Sequence, residues 1–430
     1  MNRPSSEQQL RSEQPSRSVN LFSLSIFWFA WEVHWGALLG AAVQGQIARF
    51  APPEFIGTAS AVLGGAGAVF SIISQYGFGK LSDRSGKRLP YIVAGTLCDI
   101  GALFAFAFAP SFALVLIAYV GVQVSLNAAC GPYQALMPDR VAAAARGKAS
   151  AIMGLFRLSG TAAGLFLAKI FVRQPGPGVS SALFTAGLVH LAIAVAILLV
   201  LALVITIVGV REGPRFAVDD SAGAREPWRL RASFIWLIVS RSLVNMGLYS
   251  ILPFLAFYLR FAQHVTAYIA RSLDLLLIMI ACALLGTVPA GIAGDRISKK
   301  RILFIALLCL AIGAISLSFV RSAALLTWFA VLLGLGWGAY YSVDWALACN
   351  LLPAGRAGAM MAIWNIGASA PQVAAPVVGG LLIDRLGAST GDLAVGYRLL
   401  FAIVAVFVLL GAGALAFVVE PREGLASRTG

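Results

Sequence analysis

The sequence is dominated by twelve apolar stretches, each about as long as the ~20 residues with which an α-helix crosses ~30 Å of hydrocarbon. Charged residues, glycine or proline mark the short breaks between them. Helices are the expected form, because backbone polar groups in lipid must be satisfied within the segment. The stretches, with boundaries uncertain by several residues, are 19–43, 56–80, 89–109, 112–137, 148–172, 182–210, 233–260, 270–294, 301–320, 324–350, 357–383 and 395–419. The sequence therefore predicts an all-α integral membrane protein with twelve transmembrane helices.

The composition excludes an ordinary soluble domain, and the distribution of its charges predicts a topology. Only 12% of the residues are charged, against about a quarter in soluble domains. The net charge of +14 could indicate nucleic-acid binding. However, roughly 22 of the 32 Lys and Arg residues lie in the two tails or in the loops that follow even-numbered stretches. This bias predicts that both termini are cytoplasmic, and it explains the basic charge without nucleic acid.

A polar segment at 211–232 divides the chain into two halves of six stretches each, 19–210 and 233–420. We predict that this segment is a cytoplasmic linker. Residues 1–18 and 421–430 are predicted to be cytoplasmic tails. The first tail is expected to be disordered, because it is polar and rich in Ser, Gln and Arg.

Two loops at equivalent places in the halves resemble each other. The loop after the second stretch reads GKLSDRSGKR at 79–88, and the loop after the eighth reads GIAGDRISKKR at 291–301. Asp83 and Asp295 are separated by about half of the chain. This spacing indicates that the halves are two copies of one six-helix unit.

The first of these loops resembles the signature cytoplasmic loop of the major facilitator superfamily, Gly-x-x-x-Asp-Arg-x-Gly-Arg-Arg. The resemblance implies a fold of two pseudo-symmetric six-helix bundles and a function in transport. The loop residues expected from it to form a conformational latch are Gly79, Asp83, Arg84, Lys87, Arg88, Asp295 and Arg296.

In that family the loop Asp contacts the cytoplasmic start of a helix in the other half, where the helix macrodipole favours a negative charge. By resemblance, Asp83 should meet the eleventh helix near Gly358, and Asp295 should meet the fifth near Ala149. Both contacts would exist only when the cytoplasmic side is closed. A solvated loop that only fixes orientation is the alternative.

Several stretches carry polar or aromatic side chains along one helical face, which a helix surrounded by lipid has no reason to do. The first, fourth, seventh and tenth stretches do so, and in the resembling family these four helices line the central cavity. The eleventh adds two amides that would contact a solute or a neighbouring helix. The predicted solute-binding residues are Trp31, Trp35, Gln123, Asn127, Gln134, Arg241, Asn245, Tyr249, Trp337, Tyr340, Tyr341, Trp345, Asn365 and Gln372.

Few charges are embedded in the stretches. Glu32 and Asp344 are the candidates for reversible protonation, because a buried carboxylate pays a desolvation penalty when it ionises. The alternative is permanent pairing with Arg157 and Arg241. Asp99 lies in a helix that is peripheral in the resembling family, so a structural pairing is expected for it.

The segment CGPYQALMPDR at 130–140 resembles the Gly-Pro-x-Arg-Ala-Leu-x-x-Asp motif of the glycoside/proton symporter branch, which includes sucrose transporters. Five motif positions match, but Gln134 stands where the motif has Arg. This departure puts disaccharide specificity in doubt. The matching residues are Gly131, Pro132, Ala135, Leu136 and Asp139.

Together these features predict a secondary active transporter that moves a small polar organic solute, with a sugar or glycoside favoured, by proton-coupled alternating access. Proton-driven efflux of drugs or metabolites is the alternative within transport, and a transport-inactive scaffold or sensor is a remote one. No motif for catalysis, a metal or a cofactor is present, so an enzyme is not expected. The expected surroundings are a cell membrane, and the resemblance implies a monomer.

Overall fold

The computed structural model describes residues 20–141, 146–174, 180–210, 232–294, 296–322, 325–351 and 357–420. The two tails and the linker predicted from the sequence lie outside these ranges. Within them, twelve helices are long and apolar enough to span a membrane, which confirms the predicted fold class. They are α1 Leu21–Phe50, α2 Ile56–Ser85, α3 Leu89–Phe108, α4 Phe112–Arg140, α5 Arg146–Phe171, α6 Ser181–Gly209, α7 Ala232–Phe261, α8 Tyr268–Gly294, α9 Lys299–Phe319, α10 Leu325–Asn350, α11 Ala357–Thr390 and α12 Leu393–Ala416.

The helices pack in the same pattern in each half. In the first half α1 packs against α5 and α6, α4 against α2 and α3, and α3 against α6. In the second half α7 packs against α11 and α12, α10 against α8 and α9, and α9 against α12. Each contact in one list has its counterpart six helices later in the other. The duplicated organisation predicted from the two loops therefore extends to the packing of the helices.

Among the described residues, the halves are joined mainly by two helix pairs, α2 with α11 and α5 with α8, and the end of α1 also contacts α7 and α8. These pairs are exchanged by the same six-helix shift. Since successive helices are antiparallel, α2, α4, α8 and α10 end at one side of the bundle, which we call the basic end because its loops carry most of the Lys and Arg residues. The side at which α1, α3, α5, α7, α9 and α11 end is called the clasped end.

A set of polar contacts fastens the halves together at the clasped end. The carboxylate of Asp384, on α11, accepts hydrogen bonds from the backbone N–H groups of Gly57 (2.9 Å) and Thr58 (2.5 Å) in the first turn of α2. Lys169 on α5 forms an ion pair with Asp274 on α8. The inter-half hydrogen bonds for which both partners are described all lie at this end.

Close packing extends the clasp from its polar contacts towards the middle of the membrane. A Cβ atom added to Gly57 would lie 2.8 Å from Cγ of Asp384, and one added to Gly64 would lie 2.8 Å from Cβ of Pro376. Such distances leave no room for side chains, so glycine permits α2 and α11 to touch. The halves are therefore sealed against each other over about two helical turns at this end.

Candidate functional site

In the first half, α1 and α5 bring together an acid, a guanidinium group and an indole. Nε of Arg157 donates to Oε1 of Glu32 at 2.7 Å, and the hydroxyl of Thr161 donates to Oε2 of the same carboxylate at 3.2 Å. The guanidinium carbon of Arg157 lies 4.7 Å from the ring centroid of Trp28. We call Glu32, Arg157, Thr161 and Trp28 the first cluster.

Glycines on α5 explain why these side chains meet. A Cβ atom added to Gly160 would lie 3.0 Å from Cβ of Glu32, and one added to Gly164 would lie 2.8 Å from the backbone nitrogen of Ala37. The spacing of four residues places both glycines on one face of α5. The two backbones can therefore approach closely, which holds Arg157 beside Glu32.

In the second half, α7, α10 and α11 build a similar arrangement. Arg241 on α7 forms an ion pair with Asp344 on α10, and its guanidinium carbon lies 3.5 Å from the ring centroid of Trp364 on α11. The side chains of Arg241 and Asp344 are only 7% and 2% exposed. We call Arg241, Asp344 and Trp364 the second cluster, and it differs from the first in being buried.

The arginines and tryptophans of the two clusters lie on equivalent helices with their positions exchanged, whereas the carboxylates, on α1 and α10, do not lie on equivalent helices. In the first cluster the arginine is on α5 and the tryptophan on α1, whereas in the second the arginine is on α7 and the tryptophan on α11. Because α7 corresponds to α1 and α11 to α5, each tryptophan occupies the helix that carries arginine in the other half. Each half therefore presents one guanidinium group that is stacked on indole and paired with a carboxylate.

Two tyrosines connect the clusters across the junction of the halves. Tyr249 on α7 interacts electrostatically with Arg241 of its own half and with Arg157 and Glu32 of the other half. Tyr341 on α10 interacts with both arginines as well. The clusters consequently face one shared space between the halves.

Among the described residues, exposed side chains next to this space lie on its side towards the basic end. Tyr341 and Trp345 lie on successive turns of α10 towards that end, and 51% and 44% of their surfaces are exposed. Tyr341 is exposed and interacts electrostatically with Arg157 of the opposite half, so its ring lies at the junction of the halves. Gln134 on α4 is also exposed and donates to Sγ of Cys130 at 3.2 Å. We call this volume the central opening.

Other predicted solute-binding residues have different surroundings. Nε2 of Gln123 donates to the hydroxyl of Tyr119 at 2.9 Å, and a Cβ atom added to Gly67 on α2 would lie 2.9 Å from that nitrogen. Asn127 donates to the backbone oxygen of Gln123 at 2.8 Å. The structure thus places Gln123 in packing between α2 and α4, and Asn127, which is 7% exposed, is bonded to Gln123 on the same helix.

Three more predicted residues are largely buried. Asn245 is 8% exposed and donates to the backbone oxygens of Arg241 (2.9 Å) and Gly367 (3.4 Å), so it contributes to packing of α7 against α11. Trp31 is 7% exposed and Tyr340 is 2% exposed. Their predicted role in binding would require a change in packing.

The remaining predicted residues fall into three groups. Trp35 and Trp337 are partly exposed on α1 and α10, the helices that carry Glu32 and Asp344. Gln372 is exposed on α11. The side chain of Asn365 lies outside the described residues.

The contacts described for the signature loop lie within the first half. Arg88 is 5% exposed and binds Asp83 Oδ1 at 2.6 Å, Asp139 Oδ2 at 3.1 Å and Ser82 Oγ at 2.6 Å. Asp83 is 61% exposed, and the partner described for it is Arg88. The partner described for Asp83 thus lies in its own loop. The part of α11 near Gly358, where its contact was expected, has no described side chains, so that contact stays a prediction.

The other predicted latch residues add little to these contacts. Arg84, Lys87 and Arg296 are exposed, and Asp295 lies outside the described residues. A Cβ atom added to Gly79 would meet nothing within 4 Å. Gly79 is instead a point of close approach between α2 and α4, since a Cβ atom added to Gly131 would lie 3.3 Å from the Cα atom of Gly79.

Asp99 lies away from the central opening, on α3. Its Oδ2 is 3.5 Å from Nε2 of His34, and both side chains are fully buried. A buried charge needs a partner in the membrane interior, and the imidazole is well placed for this role. Among the described residues, neither oxygen of Asp99 and neither ring nitrogen of His34 makes a hydrogen bond, so the pairing expected for Asp99 stays a prediction, with His34 as its candidate partner.

Sequence reasoning assigned no role to Trp364, Thr161 or Asp384, which the structure brings into contact with predicted residues or with the other half. For Asp384 a signal was available. Residues 380–387 read GLLIDRLG, which repeats the spacing Gly-x-x-x-Asp-Arg-x-Gly of residues 79–86. The repeat lies at the opposite end of the bundle, so it is not a copy produced by the duplication.

Comparison with known proteins decides the family. The model of the Major Facilitator Superfamily matches residues 16–370 and 272–429. The chain belongs to this superfamily. It is accordingly a multi-pass membrane transporter and not an enzyme. A search of the curated proteins found no match to this sequence.

Solved structures show the same fold at low sequence identity. A bacterial homolog of the human lysosomal transporter Spinster, in an inward-facing and occupied conformation, is 16% identical, with a TM-score of 0.76, 94% of this chain covered and 97% of that chain. A D-xylose-proton symporter is 16% identical, with a TM-score of 0.72 and coverages of 93% and 97%. The nucleoside transporter NupG is 12% identical, with a TM-score of 0.67 and coverages of 92% and 98%. These likenesses concern the fold.

Proposed function

We propose that this major facilitator protein moves a small polar organic solute by proton-coupled alternating access, with sugars or glycosides as the favoured class. The observation that carries the proposal is the pair of clusters that face one central opening, with one carboxylate–guanidinium pair from each half. A transporter of this kind needs groups in both halves that bind the solute, because the halves move against each other during transport.

The paired carboxylates supply a physical mechanism for proton coupling. While Glu32 and Asp344 are ionised, each holds an arginine by an ion pair. A proton on either carboxylate removes the negative charge and weakens that pair, which frees N–H donors for a solute. Solute binding and protonation would then favour each other, and both would change the contacts that hold the halves in place. Permanent pairing, the alternative, would leave transport independent of the proton gradient.

The positive-inside bias supports a cytoplasmic location for the basic end and for both termini, in a cell membrane. In that orientation the central opening would face the cytoplasm and the clasp would close the outer face. The cycle would then open the clasp at Asp384 and close the basic end, with Asp83 and Asp295 docking on the opposite half. We expect the monomer to be the transporting unit, since each chain contains both clusters.

The choice of sugars as the favoured class rests on the residues that line the central opening and on the resemblance of this chain to sugar transporters. Aromatic faces beside hydrogen-bonding groups suit sugar rings, and Trp345, Tyr341 and Tyr249 supply such faces. The motif at 130–140 and the xylose-proton symporter among the similar folds support the same class. The motif itself has a structural role here, because its Asp139 binds Arg88.

Two measurements on purified protein test the proposal. A thermal-shift screen against sugars, glycosides, nucleosides and cationic drugs identifies the solute class, because a ligand of the folded state raises the unfolding temperature. In proteoliposomes, the stabilising solute should then drive proton uptake that Asp344→Asn abolishes, while solute exchange without a gradient persists. Asp392→Asn is the matched control, since Asp392 caps α12 outside the opening and asparagine also caps well.

The outcomes separate the hypotheses. Solute-driven proton uptake that is equal in the native protein and in Asp344→Asn and Glu32→Gln would refute proton coupling at these acids. Stabilisation only by cationic drugs would instead favour efflux.

A further inference from the structure

Arg157 leaves part of its hydrogen-bonding capacity unused within the protein. A guanidinium group has five N–H donors, and the hydrogen bond described for Arg157 joins Nε to Glu32. In the described part of the chain, no protein acceptor binds its two terminal nitrogens. The side chain is 43% exposed and interacts with Tyr341 of the other half, so the terminal nitrogens face the central opening.

The position of this guanidinium group is fixed before any solute arrives. Glu32 holds Nε, Thr161 holds the second oxygen of Glu32, and the indole of Trp28 covers one face of the guanidinium plane. A planar fork held in this way matches the two oxygens of a carboxylate, or two oxygens of a phosphate, with two parallel hydrogen bonds. Preorganisation also lowers the entropy lost on binding.

Arg241 is not an equivalent site, although the second cluster contains the same types of residue. Its guanidinium group is stacked at 3.5 Å on Trp364 and paired with Asp344, and its side chain is only 7% exposed. A solute could reach it only after Asp344 has moved or has lost its charge. The exposed guanidinium group of Arg157 in the first cluster is therefore the group that a solute meets first.

We propose that the transported solute carries an oxyanion, either a carboxylate or a phosphate, and that the terminal nitrogens of Arg157 bind it. This inference rests on the proposed function and narrows its favoured class from sugars in general to acidic sugars. Tyr249 and Tyr341, which interact electrostatically with Arg157, would contact the rest of the solute from the other half.

Charge balance connects this site to the proton. The pair of Glu32 and Arg157 is neutral, and a bound monoanion brings one negative charge into the opening. One proton taken from water by the carboxylate of Glu32 restores neutrality and weakens its hold on Arg157. The anion then replaces Glu32 as the counter-ion of the guanidinium group, and one anion is carried with one proton.

The experiment compares neutral and acidic versions of the same sugar on the full chain in detergent. Affinities for glucose, glucuronate and glucose 6-phosphate, and for galactose and galacturonate, are measured for the native protein, Arg157→Lys and Arg173→Lys. Lysine keeps the charge but cannot form two parallel bonds. Arg173 is exposed near the end of α5, outside the central opening, and provides the matched control.

We expect an acidic sugar to bind at least about tenfold more tightly than its neutral counterpart, and Arg157→Lys to lower that affinity about tenfold or more. Arg173→Lys should have no effect. A carboxylate solute is indicated if glucuronate or galacturonate binds, and a phosphate if only glucose 6-phosphate does. Equal affinity for acidic and neutral sugars, or no binding by any acid or phosphate, overturns the inference.

Folding and the broader proposal are checked separately. Unfolding temperature and size-exclusion profile establish that Arg157→Lys is folded, and Glu32→Gln combined with Arg157→Gln removes both charges without leaving either one unpaired. This double variant should also lose the preference for acids. Neutral sugars that bind and drive proton uptake in the native protein, while acids do not bind, would leave the proposed function standing and refute only the oxyanion site.

Discussion

The two ends of the bundle use the same short sequence pattern in opposite ways. At the clasped end, Asp384 of GLLIDRLG accepts hydrogen bonds from two backbone N–H groups at the start of α2 in the other half. At the basic end, Asp83 of GKLSDRSG is 61% exposed and binds Arg88 of its own loop. A carboxylate beside a helix start is favoured by the macrodipole. We therefore predict that each end has its own carboxylate latch and that the two latches are engaged in turn.

The glycines differ between the ends as well. Gly380 begins the pattern at the clasped end, where an added Cβ atom would lie 2.8 Å from the backbone carbon of Gly57. Gly79 begins it at the basic end, where an added Cβ atom would meet nothing. If the ends exchange roles during transport, the surroundings of Gly79 should become crowded in the other conformation.

The largest effect is expected from Gly57→Val, because the new side chain would overlap Asp384 and Gly380. Overpacking typically costs about 1–3 kcal/mol, so closure of the clasped end should be disfavoured by an amount near the upper limit. Transport should fall by up to about 100-fold while solute binding persists. Gly77→Val is the control, since Gly77 also lies in α2 but has open space around it. Normal transport by Gly57→Val would show that this crossing does not need to close.

A smaller effect in the same direction is expected from Asp384→Ala, which removes both acceptors from the first turn of α2. Losing charge-assisted hydrogen bonds of this kind costs about 1–3 kcal/mol. The rate at which a polar maleimide labels Ala61→Cys, a position 5% exposed beneath the clasp, should rise about tenfold in a variant without the native cysteines. Asp384→Asn, which keeps one good acceptor, should have an intermediate rate. A labelling rate equal to that of Ala61→Cys with Asp384 intact would show that Asp384 does not hold this end closed.

Asp83→Ala should act with the opposite sign in the same labelling assay. Among the described residues, Asp83 forms an exposed ion pair with Arg88, so little should be lost in this conformation. In the conformation with the basic end closed it would lose a contact with a helix start that is worth about 0.3–1 kcal/mol. Labelling at Ala61→Cys should therefore slow by up to about fivefold. Faster labelling would mean that Asp83 does not stabilise the other conformation.

The smallest effect is expected from Lys169→Met. The ion pair of Lys169 with Asp274 joins α5 to α8 at the clasped end, but 42% and 34% of the two side chains are exposed. Exposed pairs contribute about 0–1 kcal/mol, so labelling of Ala61→Cys should rise by no more than about fivefold. High salt should reproduce most of the change in the native protein, because salt screens exposed charges. An increase as large as that of Asp384→Ala would show that the clasp is mainly an ion pair.

The sequence predicted the helices well because length and hydropathy are local properties, and it erred where a helix depends on partners elsewhere. The first stretch was predicted to end at residue 43, but α1 continues to Phe50. Its last turns contain Gln46, which is buried and donates to the backbone oxygen of Phe106 at 2.7 Å. The eleventh stretch was predicted to end at 383, just before Asp384, whose partners are in the other half. Polar residues looked like helix ends because their acceptors and donors were not visible in the sequence.

The same limit applies to the candidate site. A polar stripe indicates that one face of a helix avoids lipid, but it does not indicate what that face meets. Gln123 and Gln134 lie on one stripe of α4, yet the first packs against α2 and the second is exposed. Trp364 stacks on Arg241 through contacts between α7 and α11 that no local pattern encodes.

The most direct test of the account is a pair of distances between spin labels, measured by double electron–electron resonance. One pair joins Glu54 and Ser389 at the clasped end, and the other joins Ser85 and Arg296 at the basic end; all four residues are exposed. We expect the two distances to change in opposite directions when the solute or pH is varied, with a short clasped-end distance accompanying a long basic-end one. Distances that stay fixed, or that lengthen and shorten together, would contradict alternating access between these two ends.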